Sequence, residues 1–355
     1  MKIKTFVGLS FSIIVAACGG GNGDGSAGYQ APVRVVSFGD SLSDVGTYNV
    51  RGSPPVGPAQ FSGGRYTTNP GLIWTELVAR HYGDILSPAS LGGFGMAPRP
   101  QAGFGYAQGG ARVSKNISIN FADVLAMPVA AQVGEYLGAN GRFNAAQVIL
   151  VQGGGNDVIN NVLAAYDGVI DPEAVPALVS RAAADLAEVV DRIVLAGGEK
   201  IVLVNLPDIG NTPLAAGNAD LSQDLSSMSA LFNQVLLRQV NQAGAPRRAR
   251  PLVLVDAYGW TNERIANYRL YGFKASNQDV ACSTPKIVAK ALSIGLANPL
   301  TFLRENGSAL LCANDTLTEA RADQTFMFAD ELHPSTRMHE LFGDFVLQRM
   351  ASEGI

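Results

Sequence analysis

Ser41 stands in Phe38-Gly39-Asp40-Ser41-Leu42-Ser43-Asp44, directly after the apolar run Val33 to Phe38 and beside a glycine that permits a tight turn. A hydroxyl at the carboxyl end of a strand faces solvent, where an adjacent base can make it a nucleophile. Alone, the same residues also fit a serine that caps a helix or closes a turn. Its companions give it meaning. Gly153-Gly154-Gly155-Asn156-Asp157 follows a second apolar run, Val148 to Gln152, and sets the Asn156 amide at the equivalent point, although a Gly-rich turn with an Asn cap fits there too. In Asp330-Glu331-Leu332-His333-Pro334 the carboxylate precedes the imidazole by three residues, close enough within a turn to orient its Nδ1–H. Nucleophile, base and orienting carboxylate are the parts of acyl transfer. Of the three histidines, His81 ends a helix-like segment and His339 lies inside the last helix, which leaves His333 as the candidate base.

Other chemistries find less support. Paired histidines or carboxylates at ligand spacing are missing, so neither a metal nor another cofactor is expected. The nearest approach to a Gly-x-Ser-x-Gly elbow is Ala291-Leu292-Ser293-Ile294-Gly295, but Pro285 to Leu292 has helical character where that elbow requires a strand. A formal charge of −4 without a Lys/Arg run gives no phosphate-tracking surface, which excludes nucleic acid as an expected partner.

The elements that must hold these groups follow from periodicity. Val33 to Phe38, Val148 to Gln152, Ile201 to Asn205 and Leu252 to Asp256 read as buried parallel strands. Ala177 to Ala196 and Leu221 to Ala243 carry apolar residues at helical spacing. Ser335 or Thr336 can cap a last helix whose stripe is Met338, Leu341, Phe342, Phe345, Val346 and Met350. Strand and helix in alternation mean a parallel sheet covered on both faces, in one α/β domain spanning residues 33–355. Thr47 to Gly105 and Tyr258 to Phe328 break the alternation and are expected to wall a substrate site at the carboxyl ends of the strands.

The N-terminus has its own logic. Lys2 and Lys4 precede an apolar run, Phe6 to Ala17, too short to span a membrane, which reads as an export signal over residues 1–17. The run closes on Val15-Ala16-Ala17-Cys18, which resembles the lipobox of bacterial lipoproteins, although it also suits ordinary signal cleavage. Lipidation at Cys18, with a Gly-rich tether to about residue 32, places the protein in the cell envelope, in the periplasm or at the outer membrane, and makes the lipid anchor its expected membrane contact. With Cys18 so used, Cys282 and Cys312 are left as a disulfide pair, or else as two buried thiols.

Taken in order, these blocks resemble the GDSL family, also called SGNH hydrolases. The first block is Phe38 to Gly46, followed by Gly64-Arg65-Tyr66 through Trp74 and Leu77. The second is Tyr106-Ala107-Gln108-Gly109-Gly110-Ala111, the third Gly154-Gly155-Asn156-Asp157, and the last Asp330 to His333, with Asn205 to Gly210 also family-like. The resemblance implies a three-layer α/β/α sandwich around a parallel, flavodoxin-like sheet. It also implies a carboxylic ester hydrolase of the esterase or lipase type, with Ser41 as nucleophile, His333 as base and then acid, and Asp330 holding the imidazole. The oxyanion hole it implies is the N–H of Ser41, the N–H of Gly109, with Gly110 open as the alternative, and the Asn156 amide. A small-molecule or lipid acyl ester is the expected substrate; polysaccharide deacetylation and acyl transfer by the same fold are the alternatives. A non-catalytic envelope binding protein should have lost one of these groups, and all are present.

Overall fold

Each of the four apolar runs is a strand; the first three bury both faces, whereas Leu252 and Leu254 of the fourth are only partly buried. The computed structural model describes residues 33–49, 64–93, 96–115, 126–242, 252–293 and 308–355, so the export signal, the tether and Cys18 lie outside the described residues. The described strands are β1 (Arg34–Phe38), β2 (Ser90–Gly93), β3 (Met96–Pro100), β4 (Gln147–Gln152), β5 (Lys200–Val204), β6 (Leu252–Val255), β7 (Ala275–Val280) and β8 (Phe326–Phe328). The central sheet is parallel in the order β1-β4-β5-β6. A single parallel bridge from Ser37 to Gly105 extends it beyond β1, which gives the flavodoxin-like succession in reduced form.

Side chains along the strands divide between two cores. Val36, Phe38, Ile149, Val151, Ile201 and Leu203 enter one; Val35, Val148, Leu150, Val202, Val204 and Val253 enter the other. Two buried faces explain why these runs lack polar alternation. The helices are α1 (Trp74–His81), α2 (Val129–Asn140), α3 (Gly155–Tyr166), α4 (Val175–Leu195), α5 (Ala219–Gln242), α6 (Ala257–Ala266), α7 (Thr284–Ser293), α8 (Ala322–Thr325) and α9 (Thr336–Ser352). α2 to α5 cover the first core, and α1 and α9 cover the second. This is the α/β/α sandwich expected from the sequence.

Local signals set the helix ends. α4 begins two residues before the expected Ala177, because Asp171 caps the 3-10 turn Pro172–Ala174 that leads into it. Ser335 caps α9 by accepting the Met338 N–H at 3.4 Å. Ser293 closes α7 and follows no strand, which agrees with setting aside the Ala291 to Gly295 elbow. The segment from Tyr258 to Phe328 is more structured than a wall of loops. It contributes a separate buried cluster around the Cys282–Cys312 disulfide and another around Trp260, Phe273 and Phe328.

Candidate active site

Ser41 opens a 3-10 turn, Ser41–Ser43, at the carboxyl end of β1. Asp40 caps the turn, its Oδ1 accepting the Leu42 N–H at 3.1 Å while Oδ2 accepts from Gln152 Nε2 at 3.3 Å. Gln132 on α2 clamps the preceding residue, accepting the Gly39 N–H at 2.9 Å and donating to the Gly39 carbonyl at 2.8 Å. The serine is thus held from three directions, and its own N–H, first in the turn, has no acceptor within it.

His333 Nε2 lies 2.9 Å from Ser41 Oγ, and its Nδ1 lies 3.0 Å from both oxygens of Asp330. With the proton on Nδ1 donated to Asp330, Nε2 carries the lone pair that accepts the serine hydroxyl. Asp330 accepts three backbone N–H groups besides, from Leu332 at 2.9 Å and His333 at 2.7 Å on Oδ1 and from Ala309 at 2.8 Å on Oδ2. Burial raises the Asp330 pKa, but the His333 charge and these hydrogen bonds outweigh it and hold the carboxyl below its ordinary range. It is therefore a fixed anion. Tyr66 packs against the imidazole, ring centroids 4.9 Å apart.

Asn156 sits in the first turn of α3, after Gly154 at φ +106°, a backbone that suits glycine. Its Nδ2 donates to the Ala111 carbonyl at 2.8 Å, which fixes the amide while leaving a second hydrogen on the same nitrogen. Behind it, Asp157 pairs with Arg112 at 2.9 Å and accepts the Val113 N–H at 2.9 Å, so the second and third blocks are stapled together. The Gly109 N–H, expected as an oxyanion donor, already has an acceptor. It is donated to Asp44 Oδ2 at 2.8 Å, and a committed donor is not free for an oxyanion. The Gly110 N–H, in the same turn, meets no acceptor among the described residues. Of the two glycines that the sequence left open, Gly110 is the one whose N–H is unspent.

A proton shared between a serine and an imidazole, a fixed anion behind the imidazole, and unspent donors nearby form a set that attacks and stabilises acyl carbonyls. A family model described as GDSL-like Lipase/Acylhydrolase matches residues 35–346. The chain belongs to this family. It is also 27% identical over 325 residues to a phosphatidylcholine-sterol acyltransferase of Aeromonas hydrophila, covering 86% of each chain. GDSL proteins include hydrolases and acyltransferases, and the chain is one of that broad class.

As a GDSL chain it brings Ser41, Asn156, Asp330 and His333 to one place. Of the other histidines, His81 is exposed at the end of α1, whereas His339 is buried, lines the same cavity as Ser41 and accepts the Trp74 N–H at 3.4 Å through Nδ1. Burial and the nearby His333 push the His339 pKa down to about 3, so it is a neutral structural group. Gln132, Gln152, Arg112 and the Ala309 N–H are supports that sequence reading missed. None stands at a revealing spacing; only Asp44, inside the first block, carried a signal.

Proposed function

We propose that the protein is a serine ester hydrolase that cleaves carboxylic esters through an acyl-enzyme. The continuous chain from Ser41 Oγ through His333 to Asp330, at 2.9 and 3.0 Å, carries this reading. His333 takes the Ser41 proton as Oγ attacks the ester carbonyl, and the imidazolium that forms lies against the Asp330 anion. The oxyanion is received by the Ser41 N–H, the Gly110 N–H and the second hydrogen of Asn156 Nδ2. As the tetrahedral intermediate collapses, His333 returns the proton to the leaving alcohol. Water then repeats the sequence on the acyl-enzyme and frees the acid. A fluorophosphonate probe is expected to label the wild type, and Ser41→Ala to lose both labelling and p-nitrophenyl ester turnover; turnover persisting in that variant would falsify the assignment.

Transfer of the acyl group to an alcohol is a second reading, favoured by the similarity to the Aeromonas acyltransferase. The two differ only in what attacks the acyl-enzyme, so the ratio of transfer to hydrolysis products in the presence of a sterol separates them. The Cys18 reading supports an exported protein anchored by lipid in the cell envelope. Radiolabelled palmitate should enter the wild type and not Cys18→Ala; an unlabelled wild type points to free secretion.

A further inference from the structure

The cavity that opens at Ser41 and Asn156 does not end there. It is also lined by Leu206 and Ile209 after β5, by Trp260 in the α6 helix after β6, and by Phe328 and Phe342. In the order β1-β4-β5-β6, a path from the end of β1 to the end of β6 crosses three strand spacings, about 14 Å. Its walls are largely apolar, although Asn205 and Thr212 after β5 and Thr261 in α6 also line it. Trp260 forms a rigid far boundary: it is wedged against Phe342 and Phe345, ring centroids 5.0 and 6.0 Å away, and the Arg264 guanidinium covers its ring at 4.2 Å.

We propose that this channel receives the acyl chain of the substrate, running along the carboxyl edge of the sheet from Ser41 towards Trp260. The proposal rests on the ester reading of Ser41 and narrows it to medium-chain fatty acyl esters. About 14 Å holds an extended chain of roughly ten carbons. An acetyl group leaves nearly all of this surface uncovered, and a much longer chain meets the Trp260 cluster.

Two measurements test it separately from the chemistry. Across p-nitrophenyl esters from acetyl to palmitoyl, kcat/KM should rise, by up to roughly fourfold for each added methylene, until about ten carbons and then stop rising. A profile that is flat or falls from acetyl onwards overturns the channel and leaves ester hydrolysis standing. If no ester is turned over at all, the hydrolase reading fails, and the second measurement still judges the channel. Both tryptophans of the chain, Trp74 and Trp260, line this cavity, so intrinsic fluorescence reports its occupancy. In Ser41→Ala, 10-bromodecanoic acid should quench that fluorescence saturably and be displaced by decanoic acid but not by acetate. Quenching should fall in Ser41→Ala/Trp260→Phe and persist in Ser41→Ala/Trp74→Phe. Absent or non-saturable quenching, or quenching lost with Trp74 in place of Trp260, overturns the proposal.

Discussion

Asp44 Oδ2 accepts the N–H of Gly109 at 2.8 Å, joining two turns that lie 65 residues apart in the chain. The other oxygen of the carboxylate accepts the N–H groups of Gly46 at 2.9 Å and Thr47 at 2.7 Å. A fully buried anion with three backbone donors fixes the peptide that precedes Gly110, and so sets where the free Gly110 N–H lies. Packing adds to this, since a Cβ at Gly109 would fall 2.1 Å from the Tyr66 hydroxyl.

Asp44→Ala should therefore lower kcat on the order of 10- to 100-fold with little change in KM, because it disorients an oxyanion donor without touching the substrate. Steady-state kinetics on a p-nitrophenyl ester read this directly. A variant within twofold of wild type in kcat removes Asp44 from the argument.

Asn156→Ala deletes a donor outright, and a loss of about 100- to 1,000-fold in kcat is expected. Fluorophosphonate labelling should slow in parallel, since the phosphonyl oxygen uses the same hole. Unaltered labelling kinetics would mean that the amide only holds Ala111.

Burial raises the Asp40 and Asp44 pKa values from 3.8 to about 6. The folded chain then holds these protons more tightly than the unfolded chain, so their contribution to stability is greatest below about pH 3.8, falls as pH rises towards 6, and is constant above it. Asp40→Asn retains the Leu42 contact, and its amide can pair with a flipped Gln152. Relative to wild type its Tm should climb between pH 4 and 6 and then level off; a difference that does not vary with pH refutes the linkage.

The Cys282–Cys312 disulfide closes a loop of 30 residues, and Ala309, three residues before its second cysteine, donates to Asp330. Replacing both cysteines with serine should cost about 3 to 4 kcal/mol. Calorimetry should show a Tm lower by on the order of 5 to 10 °C, and kcat should drop as the Asp330 carboxylate loosens. Stability lost with kcat intact would confine the bridge to folding.

Much of the site was legible because its groups sit at strand ends whose apolar runs announce themselves. Ser41, Asn156 and the Asp330/His333 pair each follow or form a local pattern, and the four sheet strands begin and end within a residue of their expected bounds. The supporting contacts were not legible. Gln132 and Arg112 belong to no sequence pattern singled out above, yet the fold buries both against the catalytic turns.

The choice between Gly109 and Gly110 shows the division most sharply. Sequence alone determined the family and the sheet, because residue type fixes what a group can donate or accept and apolar periodicity fixes which segments must be buried. Only the tertiary structure decided which of two adjacent N–H groups is free, since that depends on where a carboxylate 65 residues away comes to rest. The direction of the channel was likewise decided by strand order, which local spacing does not encode.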